Sequence, residues 1–375
     1  MASVRKTGEK PDPPSPATTT DLRLELKPDF ADAVRRWEAY LDGQLIDRPV
    51  VLVACAKPGA PQAPSPSYQD KLFLPLDAVV DRALANARGV WWGGEAIPSF
   101  FPSFGSDEVA LFCSRNGEFV WNDNSPDTNW SHPSIDNWED APPLRLNEDH
   151  PLWKRMLALL ETAAGRLAGK MCVGTIDLHT NLGLLAAARG GQRLCFDLVD
   201  QPEMIDRAMA QARAIFPRLW QATTTASRAK ELGYAVAFFS MRGAAVLQCD
   251  FSAMISPAMY RRWVLPALEE EAEIVKHAYY HWDGVVALKH RREILSSRGF
   301  HTVGFLPGEG HGPQIDYLDL FKECQAAGKG VHVGGPLAEC QAMHRQLRPD
   351  KTIYTVFVGT PAEGEAALEW FRRNT

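Results

Sequence analysis

The second half of the chain alternates helical and strand patterns almost without interruption, and this alternation limits the folds that the chain can adopt. After residue 151, amphipathic helical segments are followed by apolar runs such as KMCVGTIDLH, YYHWDG and KTIYTVFVG. Such runs are typical of parallel strands covered by helices on both faces. With RPVVLVAC and a strand near EAIPSFF, the count reaches eight strand–helix units, the number in a (β/α)8 barrel. We therefore predict an α/β fold, a TIM barrel with long N-terminal loop excursions.

A doubly wound open sheet is the rival architecture. Its dinucleotide-binding form carries G-x-G-x-x-G after the first strand, whereas here the Pro-rich loop AKPGAPQAPSPSY follows. The chain has 375 residues, more than the roughly 250 of a typical barrel, and the surplus falls at the N-terminus and in residues 90–150. We predict a flexible tail rich in Pro, Ser and Thr at residues 1–28, and a single barrel domain at residues 29–375.

Composition and charge narrow the classes of partner. The net charge is -6, from 40 Lys and Arg against 46 Asp and Glu, and no basic block is present, so we expect neither nucleic acid nor a membrane as a partner. The seven cysteines never form a CxxC pair, which indicates reduced thiols. We expect a cytoplasmic protein that binds a small molecule, with a homodimer as a candidate assembly.

Polar residues end nearly every later strand, and in a barrel the carboxyl ends of the strands carry the active site. His281 and Asp283 stand at i and i+2 in YHWDG, so both side chains face the same side of the strand. Because imidazole and carboxylate both bind Zn, Fe or Mn, we predict a divalent metal there, with zinc as the first candidate. Asp177 and His179 form a second D-x-H pair and Asp250 ends the fourth strand, and we assign these three to proton transfer. The alternative for each is a structural role in capping a helix or bonding a loop.

A second set of residues is predicted to bind the substrate. Several of the eleven tryptophans lie between residues 91 and 138 beside acidic and amide groups, a mixture found in pockets for rings or sugars. From this region we select Trp92, Trp130 and Glu95, and we add His311 and His332 from the ends of the sixth and seventh strands. Packing of long loops onto the barrel rim is the alternative for the aromatic residues.

Several segments resemble the uroporphyrinogen decarboxylase-like superfamily, which includes the methyltransferases that feed corrinoid proteins. They span about residues 30–375 and include DRPVVLVA, GGEAIPSFFPSFG, QCDFSAMISPAMYRRWVLPAL, YHWDG, AAGKGVHVG and GTPAEGEAALEWF. A branch described as trimethylamine-corrinoid-protein-like is the most similar. The zinc methyltransferases of this superfamily carry H-x-C on the fifth strand; His281 is retained here, and Asp283 stands in place of the cysteine.

The resemblance implies a metal-assisted methyltransferase or demethylase of a small methylated compound, with a corrinoid protein as methyl acceptor. In that interpretation the metal on His281 and Asp283 polarises the heteroatom that carries the methyl group, and Asp250 or His179 moves a proton. One alternative is a cofactor-free decarboxylase or lyase of the uroporphyrinogen decarboxylase type, in which Asp283 or Asp250 protonates a carbanion. The other is a non-catalytic barrel that binds a small molecule.

Overall fold

The computed structural model describes residues 22–115, 117–122 and 125–375. Of the predicted tail at residues 1–28, residues 1–21 lie outside the described residues. Leu24 and Lys27 are buried, and Lys27 Nζ donates hydrogen bonds to the carbonyl oxygens of Trp92 (3.0 Å) and Gly94 (2.7 Å). The packed part of the chain therefore begins before residue 29.

The strands are short and mostly apolar. In chain order they are β1 (Val50–Ala56), β2 (Val90–Gly94), β3 (Ser99–Phe100), β4 (Phe119–Asn122), β5 (Ser125–Ser131), β6 (Cys172–Val173), β7 (Tyr234–Ala235), β8 (Phe239–Ser240), β9 (Ala244–Leu247), β10 (His277–Asp283), β11 (Phe300–Leu306), β12 (Gly330–Pro336) and β13 (Thr352–Phe357). The predicted strands at RPVVLVAC, YYHWDG, HTVGFL, KGVHVGG and KTIYTVFVG correspond to β1 and β10–β13, whereas KMCVGTIDLH is extended only at β6.

A seven-stranded sheet in the order β2-β1-β13-β12-β11-β10-β9 forms the centre of the fold. Neighbours from β9 to β13 pair in parallel, and β13 pairs in parallel with β1, with Val50 opposite Ile353. β3 and β6 form a separate parallel pair, and a bridge between Gly174 and Ala235 continues from β6. The fold is therefore mixed α/β with a mainly parallel sheet, in agreement with the predicted class.

Closure of the sheet into the predicted barrel is not shown. β2 pairs antiparallel with β1 and occupies the edge of β1 at which the second parallel strand of a closed barrel would pair. In the described ranges, no ladder joins the seven-stranded sheet to the β3–β6 pair. The segment VWWGG of β2 was not predicted as a strand, because its Trp and Gly residues follow no alternating or continuous apolar pattern.

Helices connect the parallel strands and cover the sheet. They are α1 (Phe30–Leu41), α2 (Tyr68–Phe73), α3 (Leu76–Arg88), α4 (Glu108–Phe112), α5 (Pro151–Leu167), α6 (Leu182–Arg189), α7 (Gly191–Asp200), α8 (Pro202–Ala226), α9 (Ala229–Leu232), α10 (Pro257–Met259), α11 (Leu265–Val275), α12 (Arg291–Ser296), α13 (Leu318–Ala326), α14 (Leu337–His344) and α15 (Pro361–Asn374). The short 3-10 turns include Asp250–Met254 after β9 and Val285–His290 after β10.

Several helix starts follow directly from the local sequence. Ser256 Oγ accepts a hydrogen bond from the backbone nitrogen of Met259 (3.3 Å) before α10, and Thr360 forms a capping box with Glu363 before α15. Both were predicted from the serine–proline and T-P-A-E patterns. None of the helices in the described part of the chain is long and apolar enough to cross a membrane.

Candidate functional site

Five of the predicted polar residues come together at the carboxyl ends of the parallel strands. Asp177 and His179 lie in the loop after β6, Asp250 follows β9, and His281 and Asp283 end β10. The charges of the other four all act on Asp250. The structure thus groups the predicted catalytic residues with the predicted metal ligands.

Asp177 and His179 are joined by a residue that the sequence did not point to. His179 Nε2 lies 3.2 Å from Asp177 Oδ1, and the side-chain nitrogen of Gln248 lies 2.6 Å from each of these two atoms. Gln248 follows β9 and precedes Asp250 by two residues. The loop and the end of β9 therefore meet in one hydrogen-bonded cluster.

The protonation state of His179 is set by its carboxylate neighbours. Burial works against a charged imidazole, but Asp177, Asp250 and Asp107 outweigh it and raise the pKa of His179 to about 9. In the charged form Nε2–H donates to Asp177, whereas in the neutral form Nε2 can accept from the Gln248 amide. The carboxylates favour the charged form at neutral pH, and the Gln248 amide, a donor that lies 2.6 Å from Nε2, opposes it.

Asp250 also holds a proton more readily than an ordinary aspartate. Desolvation by the surrounding protein raises its pKa, as do the negative charges of Asp283 and Asp177, while His179 and His281 act in the opposite direction. The site therefore contains two groups, His179 and Asp250, whose pKa values are shifted toward the protonated form. Groups of this kind serve as general acids.

Two buried glutamates hold the loop that carries His179. Glu108 Oε1 accepts a hydrogen bond from the backbone nitrogen of Asp177 (3.2 Å), and Glu271 Oε1 accepts from Thr180 Oγ1 (2.6 Å). Burial is the largest influence on both and raises the pKa of each to about 8. Both glutamates are therefore mainly uncharged at neutral pH.

We expect the stability of the protein to fall between about pH 5 and 8 because of these buried acids. In the unfolded chain a glutamate loses its proton near pH 4.3, whereas Glu271 in the folded protein keeps its proton up to about pH 8. Across this window the folded state binds more protons, so each rise in pH favours unfolding by up to about 1.4 kcal/mol per pH unit for each group. Urea unfolding midpoints measured at several pH values test this expectation.

Glu271→Gln isolates the effect, because glutamine can still accept from Thr180 but cannot ionise. The stability of Glu271→Gln relative to the unmodified protein should rise steadily from pH 5 to 8. Glu273→Gln, an exposed change in the same helix α11, serves as the control and should leave the pH dependence unchanged. Parallel stability curves for Glu271→Gln and the unmodified protein would contradict the buried-acid assignment.

The predicted metal site offers two donors. His281 and Asp283 alternate onto one face of β10, with His281 partly buried and Asp283 exposed. Among the described residues, no group of three or more His, Cys, Asp or Glu side chains is arranged to hold a metal ion. Zinc sites in proteins use three or four such ligands, so this pair alone does not fit a resident zinc ion.

An open cavity of about 420 Å³ lies between β1 and β13 on one side and the segments 95–99 and 235–239 on the other. Most of the side chains that line the cavity are apolar, and they include Trp37, Leu52, Ala54, Trp92, Phe238 and Phe357. Small-molecule sites commonly have volumes of about 300–1,000 Å³ and apolar walls with a few polar groups. The cavity therefore has the size and lining of a ligand site.

Trp92 and His332, two of the predicted substrate-binding residues, lie in the lining of this cavity and directly behind it, respectively. Trp92 lines it, with its indole nitrogen donating to the carbonyl oxygen of Ala87 (3.1 Å). His332 Nε2 lies 2.8 Å from Oγ1 of Thr355, which also lines the cavity. These two positions are compatible with the predicted role.

Of the other three predicted substrate-binding residues, Glu95 also lines the cavity, whereas Trp130 and His311 lie outside it. Glu95 reaches the cavity wall but is fully buried, and its carboxylate accepts from Arg48 Nη2 (2.8 Å), Arg48 Nη1 (2.5 Å) and the backbone nitrogen of Val51 (2.9 Å). These contacts favour a structural role for Glu95. Trp130 is exposed on β5, His311 is exposed in the turn after β11, and neither lines the cavity.

The sequence carried weak signals for the residues that were missed. Glu108 is the one charged residue in the helix EVALF, and Gln248 stands two positions from Asp250 in an otherwise apolar strand end. Glu271 lies in the run LEEEAEIV, and only its helical spacing from the buried Leu268 and Val275 distinguishes it from its exposed neighbours.

Comparison with known proteins adds a fold relationship. No family model matches the sequence, and no curated protein matches it. Among solved structures, a methyltransferase from Methanosarcina mazei matches with a TM-score of 0.58 and 14% sequence identity, over 91% of this chain and 98% of that chain. At this identity the match shows a shared fold over nearly the full length of both chains.

Proposed function

We propose that the protein is a methyltransferase or demethylase that acts on a small methylated compound. The observation that carries the proposal is the pairing of His179 with Asp177 (Nε2 to Oδ1, 3.2 Å) at the carboxyl ends of parallel strands, in a chain that also contains an apolar cavity. The fold shared with a methyltransferase over most of both chains supports this class of reaction. The same likeness leads us to propose that β3 and β6 complete a (β/α)8 barrel with the parallel strands of the central sheet.

The proposed reaction is the displacement of a heteroatom from a methyl group. An electron pair of the acceptor forms a new bond to the methyl carbon, and the bond from that carbon to the heteroatom breaks, leaving its electron pair on the heteroatom. As that bond breaks, His179 donates the Nε2 proton to the heteroatom, so that the leaving group departs protonated. The neutral Nε2 that remains can accept a hydrogen bond from Gln248.

Two parts of the proposal come from the family resemblance. A corrinoid on a partner protein would supply a strong nucleophile for the methyl group. A divalent metal on His281 and Asp283 stays a prediction, which elemental analysis of purified protein tests. About one metal ion per chain, lost in His281→Ala, would support it, and metal-free active protein would contradict it.

A decarboxylase or lyase is the second candidate, because the raised pKa of Asp250 also suits a group that protonates a carbanion. The charges that act most strongly on Asp250 come from two histidines and two aspartates, with no arginine among them. A carboxylate substrate would therefore have the His179 imidazolium as its cationic partner in this group, and that imidazolium is already paired with Asp177. This favours methyl transfer over decarboxylation.

Methyl transfer to cob(I)alamin tests the proposed function. The purified protein is incubated with a panel of small methyl ethers and methylamines, and methylcobalamin is measured by its absorbance. We expect at least one donor to be demethylated above the rate without protein. Transfer from none of the donors, or release of CO2 from carboxylic acids of similar size, would contradict the proposal.

A further inference from the structure

We infer that the cavity bounded by β1, β13 and the segments 95–99 and 235–239 binds a neutral, flat and largely apolar compound that accepts one hydrogen bond from Thr355. An aromatic methyl ether is the simplest compound of this class that carries a methyl group. Only the methyl group of this ligand rests on the proposed function. The other features of the ligand follow from the lining of the cavity.

The lining of the cavity excludes ligands that need many polar contacts. Of the described side chains in the lining, Glu95 is the one with a charge, and its oxygens already accept hydrogen bonds from Arg48 and Val51. Ser99 and Thr355 supply the hydroxyl groups, and the other lining side chains are apolar. A sugar would leave several hydroxyls without partners in such a cavity, and each buried hydroxyl without a partner weakens binding.

Thr355 is placed to donate a hydrogen bond because of a chain of contacts behind it. Tyr279 Oη lies 3.1 Å from His332 Nδ1, and His332 Nε2 lies 2.8 Å from Thr355 Oγ1. Burial lowers the pKa of His332 to about 4, so its ring is neutral and carries one N–H. Tyr279 satisfies its hydroxyl hydrogen by donating to Nδ1, which leaves the His332 hydrogen on Nε2 to donate to Thr355. The hydroxyl hydrogen of Thr355 is then available to a ligand.

The same contacts relate the cavity to the polar site. Tyr279 and His281 stand at i and i+2 on β10 and so share a face of the sheet. On the opposite side of the cavity, Ala235 pairs with Gly174, three residues before Asp177. The cavity is therefore connected to the elements that carry the polar site through the Tyr279–His332–Thr355 contacts and through the bridge between Ala235 and Gly174.

Ligand binding measured by quenching of tryptophan fluorescence tests the inference, since Trp37 and Trp92 line the cavity. The probes are anisole, which is a neutral aromatic ether; ethylbenzene, which has a similar shape but no acceptor; and tetramethylammonium, which is a cation. We expect saturable binding of anisole, weaker binding of ethylbenzene and the weakest binding of tetramethylammonium. Absence of saturable anisole binding, or equal binding of the cation, would overturn the inference.

Two variants locate the bound probe. Ala54→Leu fills the cavity and should weaken anisole binding at least tenfold. Thr355→Val removes the donor and should weaken anisole binding about fivefold, which corresponds to a hydrogen bond of roughly 1 kcal/mol, while ethylbenzene binding stays the same and Thr355→Ser retains the anisole affinity. Circular dichroism confirms that each variant is folded. Unchanged anisole binding in folded Ala54→Leu or Thr355→Val would overturn the inference.

The outcomes separate this inference from the proposed function. If anisole binds as described but no methyl donor is demethylated, the proposed function fails and the binding assignment stands. If demethylation occurs and is insensitive to both Ala54→Leu and Thr355→Val, the proposed function stands and the cavity assignment fails.

Discussion

Replacement of His179 by glutamine should lower the rate of demethylation by a hundredfold or more while the protein stays folded. Proton transfer by a positioned side chain contributes about 10²–10⁴-fold to a rate, and glutamine has no acidic proton to give. In the unmodified protein, the rate should be high below pH 8 and fall as the pH rises through about 9, because His179 loses its proton there. Steady-state rates from pH 6 to 10 measure both effects.

His132→Gln is the matched control for this change. His132 is exposed directly after β5 and lies outside the cavity lining and the polar cluster, so its replacement should leave the rate within twofold. A similar modest loss in both variants, or a His179→Gln enzyme that keeps the fall in rate near pH 9, would contradict the role of His179 as proton donor.

Replacement of Arg48 by methionine should destabilise the fold by about 3–5 kcal/mol. Arg48 and Glu95 form a buried ion pair, and removal of one partner leaves the other charge buried without compensation. Methionine fills much of the space but offers no hydrogen bonds to the two carboxylate oxygens. Arg36, at 3.6 Å from Glu95 Oε1, compensates part of the charge, so we expect the lower part of this range. Urea denaturation measures the change.

Arg373→Met provides the comparison for this prediction. Arg373 pairs with Glu369 on the exposed face of α15, and exposed pairs of this kind contribute less than about 1 kcal/mol. A destabilisation below about 1 kcal/mol for Arg48→Met would contradict the structural role of the Arg48–Glu95 pair. It would also restore Glu95 as a candidate for substrate binding.

The parallel part of the fold was accessible from sequence because its signals are local. Continuous apolar runs bounded by helix caps and glycines identify β1 and β10 to β13, and the position of each polar residue at a strand end follows from the same pattern. The antiparallel pairing of β2 with β1 depends on two segments about forty residues apart, which no local pattern specifies.

The candidate site could likewise be predicted from the sequence only where its signals are local. The D-x-H spacing pointed to Asp177 and His179, and the structure places Nε2 of His179 3.2 Å from Oδ1 of Asp177. Gln248 and the two buried glutamates were missed, because their importance arises from contacts with residues 67 to 91 positions away in the chain. For Glu95, the aromatic neighbourhood suggested a ligand, whereas its partner Arg48, 47 positions earlier, could only be found in the folded structure.

The protonation of His179 is the claim on which the proposed reaction depends, and NMR titration of the histidine ring measures it without any substrate. The His179 resonance is identified by its absence from the spectrum of His179→Gln, and its shift is followed from pH 5 to 10. We expect a pKa of about 9, and a decrease in Asp177→Asn, which removes the nearest carboxylate. A pKa at or below the ordinary histidine value of about 6.5 in the unmodified protein would contradict the account.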